Sequence, residues 1–409
     1  MSTEINHLKL YRLPWNYADN AISWLEPTSA CNLACEGCYR NTGKGKHKTL
    51  SEIRSDLNIF RKLRISDCIS ITGGDPLVHP QITDIVRLCK EMGWKPIVNT
   101  NGLALDQKRL QSLKNNGVSG FTFHVDTSQR RPGIETESER DLNPVRLMYA
   151  RMLSETGDIS CSFNATISES NLNEVPDLVE WATCHADKVQ TMVFIIYRSP
   201  NLAGRDFKAY IRGREITYGD TYKETAWGGS RTLYHDEVIG MIRQADPLYM
   251  PSAYLNGTVD PASLKWILAT RVVLDKRVMG YMSPRFQEVL QIVYHFFHGR
   301  YFSYPKPRFC SAGKSASFFF GLFDRQIWKI FLNILSYSLK HPAALFKRAF
   351  LQSIMIIQPI NIKQDGRQNM CDGCPDITPY RGQLVWSCRL EEMNTYDTFY
   401  TFAPKTEQS

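Results

Sequence analysis

Residues 21–40 read "AISWLEPTSACNLACEGCYR", a short β-rich run followed directly by three closely spaced cysteines. Three residues separate Cys31 from Cys35, and two separate Cys35 from Cys38. A closed structural zinc site takes four protein ligands, so three thiols either need a ligand from elsewhere in the chain or leave one metal position open. The spacing alone admits both a zinc site completed from a distance and a metal centre with one free position.

Short β-rich runs continue after this stretch and alternate with amphipathic segments. The β-rich runs lie at residues 21–27, 68–72, 96–100, 120–126, 160–167 and 191–197. The amphipathic segments begin at Thr49, where Glu52 completes a capping box, and continue at 82–92, 107–115, 143–154 and 175–185. Strands that alternate with helices give parallel sheets with right-handed crossovers. The sequence therefore predicts an α/β fold, an open barrel or doubly wound sheet with its chemistry at the carboxyl ends of the strands.

The regular alternation ends near residue 200. Residues 198–231 are polar and rich in Gly and Tyr, which predicts a connection or a lid, and residues 235–300 are predicted to be helical. Residues 318–362 are unusually apolar, but their uncharged runs are shorter than the ~18 residues of a membrane-spanning helix. We therefore divide the chain into an N-terminal extension (1–20), a barrel (21–200), a connecting helical region (201–310), an apolar and basic helical insertion (311–365), and a C-terminal module with its tail (366–409).

Composition excludes several classes of protein. The 409 residues are 43% hydrophobic and 22% charged, as in globular proteins, so a disordered chain is not expected. The net charge of +8 is modest for this length, which argues against a nucleic-acid partner and leaves anionic ligands or an anionic membrane surface open. The first twenty residues lack the regions of a signal peptide, so we expect a cytoplasmic location. Its eleven cysteines would be reduced there, and their clusters indicate metal sites.

A second motif ends the second predicted strand. In "ISITGGDPLVHP", residues 69–80, the strand is followed by Gly73, Gly74, Asp75 and Pro76, about 35 residues beyond the cysteines. Paired glycines let backbone carbonyls approach a ligand with no side chain in the way. Taken alone, this segment is also typical of an ordinary turn at a strand end.

The cysteine spacing after the first strand, combined with the glycine pair after the second, resembles the radical S-adenosylmethionine (SAM) superfamily. The resemblance implies a partial (β/α)6 TIM-like barrel in which Cys31, Cys35 and Cys38 hold three irons of a [4Fe-4S] cluster. The fourth iron then takes the amino and carboxylate groups of the methionine part of SAM. The family motif Gly-Gly-Glu-Pro, which receives the methionine ammonium group, stands here as Gly-Gly-Asp-Pro.

The resemblance implies further SAM-binding positions at the strand ends. They are Tyr39 beside the last cysteine, and Asn99, Asn101, Asp126, Asn164 and Arg198. His124 closes the same strand as Asp126. By residue type, each is also typical of an ordinary cap or turn.

A second cysteine group lies near the C-terminus. Cys371, Cys374 and Cys388 have the spacing Cys-x2-Cys-x13-Cys, similar to the auxiliary-cluster motif of the GTP cyclases of molybdopterin biosynthesis in the same superfamily. The chain lacks the terminal glycine pair of those enzymes. With Cys310 as the expected fourth ligand, this group would hold a second [4Fe-4S] cluster, or else a structural zinc ion. Cys68, Cys89, Cys161 and Cys184 are expected to be buried small hydrophobic residues.

The resemblance implies an enzyme that takes an electron from a donor such as flavodoxin or ferredoxin and cleaves SAM to a 5'-deoxyadenosyl radical. The radical would abstract a hydrogen from an apolar, lipid-like substrate or another small molecule, and a ribosomally made peptide is the alternative substrate. A non-catalytic zinc metalloprotein is the alternative of another class.

A stripe of apolar residues in the insertion has two interpretations. Ile327, Ile330, Phe331, Ile334 and Leu335 fall on one helical face, with basic residues distributed around them. Such a helix lies on an anionic membrane or packs against the protein core. The first interpretation predicts peripheral contact with the inner face of a membrane through residues 318–360.

Overall fold

A computed structural model gives the fold and describes residues 5–42, 45–198, 207–217, 219, 221–222, 229 and 231–405. The strands are β1 (Tyr11–Arg12), β2 (Ile22–Thr28), β3 (Cys68–Gly73), β4 (Lys95–Thr100), β5 (Gly120–His124), β6 (Ser160–Ile167), β7 (Thr191–Ile196), β8 (Phe207–Ile211), β9 (Arg214–Ile216), β10 (Ala253–Asn256), β11 (Leu264–Leu274), β12 (Arg277–Tyr281), β13 (Ala349–Ile357), β14 (Asn361–Ile362), β15 (Gln368–Asn369), β16 (Ile377–Tyr380), β17 (Gln383–Trp386) and β18 (Thr401–Pro404).

The α-helices are α1 (Leu50–Leu63), α2 (Ile82–Glu91), α3 (Gln107–Asn115), α4 (Asn143–Thr156), α5 (Val175–Cys184), α6 (His235–Ala245), α7 (Pro284–His298), α8 (Pro307–Cys310), α9 (Gly313–Gly321), α10 (Arg325–Lys340) and α11 (Leu390–Tyr396). Short 3-10 helices include Pro76–Val78, Thr127–Gln129, Pro342–Leu345 and Ser387–Arg389.

Strands β2 to β7 lie side by side in chain order and pair in parallel, with α1 to α5 as the connections between them. This confirms the predicted α/β fold, and each strand and helix predicted before residue 200 lies within two residues of its observed bounds. In the part of the chain that the structure describes, no hydrogen-bonded ladder closes the sheet from β1 to β2. The barrel is therefore open, and its carboxyl ends gather the loops that the sequence marked as functional.

The same sheet continues past β7 with strands from the second half of the chain. β13 pairs in parallel with β7, β11 pairs antiparallel with β13, and β10 and β1 follow at the edge. The helical prediction for residues 235–300 and for the insertion is therefore wrong over β10 to β13, where the chain extends the barrel sheet. The runs "WILATRVVL" and "FLQSIMII" are mostly apolar without a regular alternation of polar residues, and periodicity cannot distinguish a strand buried on both faces from a buried helix.

Helix α1 shows how the sequence fixes the first connection. The Thr49 hydroxyl accepts from the Glu52 amide at 3.3 Å, and the Glu52 carboxylate accepts from the Thr49 amide at 2.7 Å, which is the predicted capping box. The helix buries Ile53, Leu57 and Phe60 against the sheet. At its end, the Arg64 guanidinium donates to the carbonyl of Cys374 at 2.8 Å. The C-terminal cysteine module is thereby attached to the first βα unit.

Helix α10 packs its predicted apolar stripe inward. Ile327, Ile330 and Ile334 are buried in a core that they share with β11 and β13. The core interpretation therefore holds for these three residues, and the membrane interpretation of them is wrong. Leu335 is 42% exposed, on the other side of the helix. Within the described ranges, every helix is too short or too polar to cross a bilayer.

Candidate functional site

A cavity of about 330 Å³ opens at the carboxyl ends of β2 to β7, where the sequence predicted the active site. Both cysteine groups line it: Cys31, Cys35 and Cys38 from the loop after β2, and Cys371, Cys374 and Cys388 from the C-terminal module. The fold thus brings two groups that are more than 300 residues apart in sequence to one space.

The loop after β2 is shaped by contacts that turn its thiols toward the cavity. Gly37 has φ +66°, and a Cβ there would overlap the ring of Tyr197, so this position requires glycine. The Leu33 amide lies 3.4 Å from the Cys31 sulfur. The Asn101 amide group donates to the Asn32 side chain at 2.7 Å. The loop is therefore held both by its own backbone and by the end of β4.

The electrostatics of the first three thiols fit a metal cluster. Burial raises the pKa of Cys35, and the neighbouring Cys38, Asp126 and Cys31 raise it further. Burial also raises the pKa of Cys31. Thiolates packed this closely repel one another, and bound iron would relieve that repulsion by holding them deprotonated. Three thiols on one loop that face one cavity are a suitable donor set for a cluster that is held through three of its irons.

The glycine pair after β3 allows two backbone segments to meet. A Cβ on Gly73 would overlap the carbonyl oxygen of Thr28, and one on Gly74 would overlap that of Ala30, directly before Cys31. Gly73 also has φ +112°, which side-chain-bearing residues rarely adopt. Both glycines line the cavity as predicted, but their closest neighbour is the cysteine loop itself.

Asp75 connects the ends of β3 and β4. Its carboxylate accepts from the Thr100 hydroxyl at 2.7 Å, the Asn101 amide at 2.7 Å and the Leu77 amide at 2.9 Å. Asp75 is 1% exposed, and burial raises its pKa. Pro76 begins the following 3-10 helix and does not line the cavity, so the structure gives it a role in the turn.

The remaining predicted SAM-binding residues divide into two groups. Tyr39, Asn99, Asn101, Asn164 and Arg198 line the cavity together with His124. Asp126 is fully buried behind His124, and its carboxylate lies 2.6 Å from the imidazole Nε2. Burial opposes its ionisation, but the His124 contact lowers the pKa of Asp126 to about 2. Asp126 does not line the cavity, so any effect on a ligand passes through its hydrogen-bond partners His124, Ser128 and Thr166, which do.

The second cysteine group has cationic neighbours that the sequence did not single out. Lys265 is fully buried near Cys371, and its ammonium group donates to the Pro359 carbonyl at 2.9 Å. Burial lowers the pKa of Lys265 to about 8. Burial raises the pKa of Cys388 to about 12, against the opposing charges of Arg389 and Arg198. In the sequence, Lys265 stands in the mostly apolar run "LKWILATRVVL". A lysine in such a run indicates a buried cation with a partner, because lysine is rarely buried unpaired.

A buried ion pair joins the two cysteine groups. Arg40, two residues after Cys38, is paired with Glu26 of β2, and its guanidinium lies 3.4 Å from Glu391. The Glu26 carboxylate also accepts from Ser387, beside Cys388, at 2.9 Å. Burial lowers the pKa of Arg40 to about 10. Sequence reasoning missed this pair because Ser387 and Glu391, which connect it to the second cysteine group, are distant along the chain.

Cys310 does not join the other C-terminal cysteines, which corrects the prediction that it is their fourth ligand. It lies in α8 near Gly313, and Gly313 adjoins the backbone of Ala349 at the start of β13. The Cys371 thiol interacts with the Trp266 indole, and Trp266 pairs with Ile357 at the end of β13. These two ends are the first and last of the nine residues of β13, so about eight steps of ~3.3 Å, or about 26 Å, separate them.

We expect Cys310→Ala to keep full iron loading at both cysteine groups, since its thiol lies at the opposite end of the sheet. Iron and sulfide analysis of the reconstituted protein checks this, with Cys374→Ala as the matched variant that should lose iron. A Cys310→Ala protein with the iron of only one cluster would instead show that Cys310 is a ligand of the second cluster.

A second cavity of about 180 Å³ lies below the first, inside the barrel, and we name it the lower chamber. Residues shared by the walls of both cavities are Trp24, Asn99, Asn164, Ile195, Trp266, Ile357 and Asp376. Burial raises the pKa of Asp376 to about 7, and Arg64 opposes that rise. The floor of the lower chamber comes from α7 and α8, through Phe286, Leu290, Phe309 and Cys310. The two cavities therefore adjoin and share one wall inside the barrel.

A single metal ion and an iron-sulfur cluster require different groupings of side chains. Among the described residues, no three His, Cys, Asp or Glu side chains are grouped so as to hold one metal ion. An iron-sulfur cubane places each thiolate on a different iron, so its ligands stand farther apart than those of one ion.

Comparisons with known proteins agree with this geometry. Residues 25–182 match the Radical SAM superfamily. The chain is 25% identical over 236 residues to the 7,8-dihydro-6-hydroxymethylpterin dimethyltransferase of Methanocaldococcus jannaschii, covering 56% of this chain and 44% of that protein. It is 29% identical over 175 residues to the GTP 3',8-cyclase of Chlorobaculum tepidum, covering 40% of this chain and 51% of that one.

Among solved structures, Streptococcus suis SuiB bound to the precursor peptide SuiA is similar at a TM-score of 0.36 and 15% identity, covering 46% of this chain and 42% of SuiB. The chain thus spans about half the length of the curated relatives it matches.

Proposed function

Because this chain carries a radical SAM domain and is an enzyme of that superfamily, we propose that it abstracts a hydrogen from an apolar substrate held in the lower chamber. The observation that carries the proposal is that a chamber inside the barrel adjoins the cysteine-lined cavity and shares a wall of seven residues with it. A substrate that fills the chamber would reach the space beneath the SAM-binding loops.

We propose that Cys31, Cys35 and Cys38 hold the [4Fe-4S] cluster that binds SAM. When bound, such a cluster supplies the electron that splits SAM into methionine and a 5'-deoxyadenosyl radical, which takes a hydrogen atom from the substrate. The remaining work belongs to the protein. The Gly73–Gly74 backbone and the polar groups of Asn99, Asn101 and Arg198 would hold the nucleotide, and burial of the cavity would exclude water.

The composition of the lower chamber favours an apolar substrate with a few polar atoms. Trp24 and Trp266 form its upper wall, and Phe286 and Phe302 its lower wall. Among the described side chains, the Trp24 indole nitrogen and the Ser162 hydroxyl are buried there with no hydrogen-bond partner. Buried polar groups usually find a partner, so a bound molecule with hydrogen-bonding atoms at these points would complete the site. A lipid-like small molecule has this combination.

For the second cysteine group, we propose an auxiliary [4Fe-4S] cluster on Cys371, Cys374 and Cys388. With Cys310 at the far end of the barrel, this group also supplies three thiols. The cationic Arg198 and Lys265 beside it would offset thiolate charge. An electron donor such as ferredoxin or flavodoxin is the partner that the chemistry requires.

Filling the lower chamber tests the proposed substrate site. Ser353 lines the chamber from β13, and we expect Ser353→Phe to lose substrate conversion while SAM is still cleaved without coupling to product. The assay compares lipids and metabolites of an anaerobic cell extract before and after incubation with each protein. Ser154→Phe, on the exposed side of α4, is the matched control and should convert the substrate as the wild type does. Full conversion by Ser353→Phe would place the substrate elsewhere.

A further inference from the structure

The helices beneath the barrel expose an unusual number of large apolar side chains. We use the term platform for the outer faces of α7, α9 and α10 together with the turn 341–348. Phe296, Phe297, Phe323 and Phe346 are 80%, 73%, 79% and 91% exposed. At ~150 Å² or more for each aromatic side chain, these four alone present about 500 Å² of apolar surface, distributed over the platform. Large exposed apolar surface in a soluble protein is typical of a site that binds a protein or a membrane.

Contacts between the elements show that they form one layer. The Arg285 guanidinium donates to the Phe323 carbonyl at 3.3 Å, which joins α7 to the α9–α10 turn. The Phe318 and Phe331 rings are 5.3 Å apart and join α9 to α10. The Lys314 ammonium donates to the Leu345 carbonyl at 2.8 Å and brings in the turn 341–348.

Helices α7 and α10 each carry a second row of apolar side chains, on the face turned away from the protein core. On α10, the exposed residues Leu332, Leu335 and Leu339 follow a helical spacing on the side away from Ile330 and Ile334. On α7, the exposed residues Val289, Ile292, Val293 and Phe296 do the same. Both helices thus have two apolar faces, and only one of them is covered by the protein.

The charge of the chain is concentrated in the same region. Residues 284–348 contain ten Lys and Arg against two Asp and Glu, which leaves 39 of each sign in the rest of the chain. The whole net charge of +8 therefore belongs to this segment. Arg325, Lys329 and Lys340 are exposed on α10 beside its apolar outer face. Apolar side chains bordered by basic ones are typical of helices that lie in an anionic membrane interface.

The platform is also the outer side of the lower chamber. Phe286 and Leu290 of α7 face the chamber, while the other side of the same helix belongs to the platform. Phe309 of α8, outside the platform as defined, lines the chamber and is 40% exposed. A layer one helix thick thus separates the chamber from the surface.

We propose that the platform docks on an anionic lipid bilayer and that a lipid chain passes beside Phe309 into the lower chamber. The docking follows from the exposed aromatic residues and the concentrated positive charge. The passage of a lipid chain rests in addition on the proposed function. Membrane contact was predicted for residues 318–360; the proposal moves it to α7, the outer faces of α9 and α10, and the turn, because β13 lies inside the sheet.

Co-flotation of the full chain with vesicles tests the docking. We expect binding to phosphatidylcholine vesicles with 30 mol % phosphatidylglycerol, weak binding to pure phosphatidylcholine, and loss of binding at high salt. The double variant Lys329→Glu/Lys340→Glu should bind about 25-fold more weakly, since about 1 kcal/mol for each basic residue near an anionic surface is about fivefold. Phe296→Ser/Phe346→Ser should also weaken binding at low salt, where the wild type binds.

Matched controls keep the test specific. Lys62→Glu/Arg151→Glu changes exposed charges on α1 and α4, and Leu248→Ser removes a leucine that is 53% exposed outside the platform. Both should bind vesicles as the wild type does. Equal losses in the control and platform variants, or no vesicle binding by the wild type, would overturn the docking. A dimer that the platform variants dissociate, without vesicle binding, would overturn it in favour of a second copy of the chain.

The 5'-deoxyadenosine assay separates this proposal from the proposed function. Platform variants should cleave SAM at the wild-type rate, because none of the changed residues lines the cysteine-lined cavity. Vesicle binding by a wild-type protein that does not cleave SAM would support the docking and contradict the proposed chemistry. SAM cleavage without vesicle binding would contradict the docking alone.

Discussion

Cys35→Ala is expected to abolish the formation of 5'-deoxyadenosine from SAM while the chain stays folded. Cys35 lies between the other two thiols on a loop at the cavity, and no core cluster of the described residues includes it. Loss of one of three thiolates leaves a cluster too few ligands, so the chemistry should fall to background with little effect on packing. The measurement is chromatographic quantification of 5'-deoxyadenosine under strong reductant, with circular dichroism as the test of folding.

Cys184→Ala is the matched control for this variant. Cys184 ends α5 and is exposed, against the prediction that it is a buried hydrophobic residue. Its thiol is remote from the cavity, so the control should cleave SAM at the wild-type rate. Continued 5'-deoxyadenosine formation by Cys35→Ala, with the first cluster verified as absent, would show that SAM is cleaved elsewhere or not by this cluster.

Gly74→Val is expected to lose both SAM binding and iron at the first cysteine group. The sequence predicts only that a side chain at this position blocks the approach of SAM. In the structure, a Cβ there would also overlap the Ala30 backbone directly before Cys31. A backbone segment cannot yield as a flexible side chain does, so the cysteine loop must move. We expect at least a tenfold loss in SAM affinity by equilibrium binding, together with a loss of about half of the bound iron.

Gly240→Val provides a control in which added atoms have room. A Cβ at Gly240 of α6 meets no other heavy atom within 4 Å. That variant should bind SAM and iron normally, since valine has a higher helix propensity than the glycine it replaces. If Gly74→Val retained full iron and lost only SAM affinity, the glycine pair would serve the ligand directly, as the sequence first suggested.

Local patterns were sufficient for the first half of the fold and for the first site. The capping box at Thr49 and Glu52 and the alternating runs up to residue 197 gave the parallel strands and helices close to their observed bounds. Because the carboxyl ends of parallel strands share one edge, placing Cys31 and Gly73 at strand ends was enough to bring them together.

The second half depends on contacts that no local pattern records. β11 and β13 are apolar on both faces and therefore resembled helices. Cys310 was chosen as a fourth ligand for its residue type, and only the direction of β13 shows that it lies at the wrong end of the barrel. The Arg40–Glu26 pair and buried Lys265 likewise depend on partners brought together by the sheet. The predicted domain boundaries after residue 200 separate segments that share this sheet.

Quantifying the products of SAM cleavage by the full chain tests the central claim most directly. The protein is loaded anaerobically with iron and sulfide, reduced with dithionite and incubated with SAM, and methionine and 5'-deoxyadenosine are measured together. We expect both products to form in equal amounts, and only when reductant and iron are present. Iron-loaded, reduced protein that forms neither product would contradict the claim.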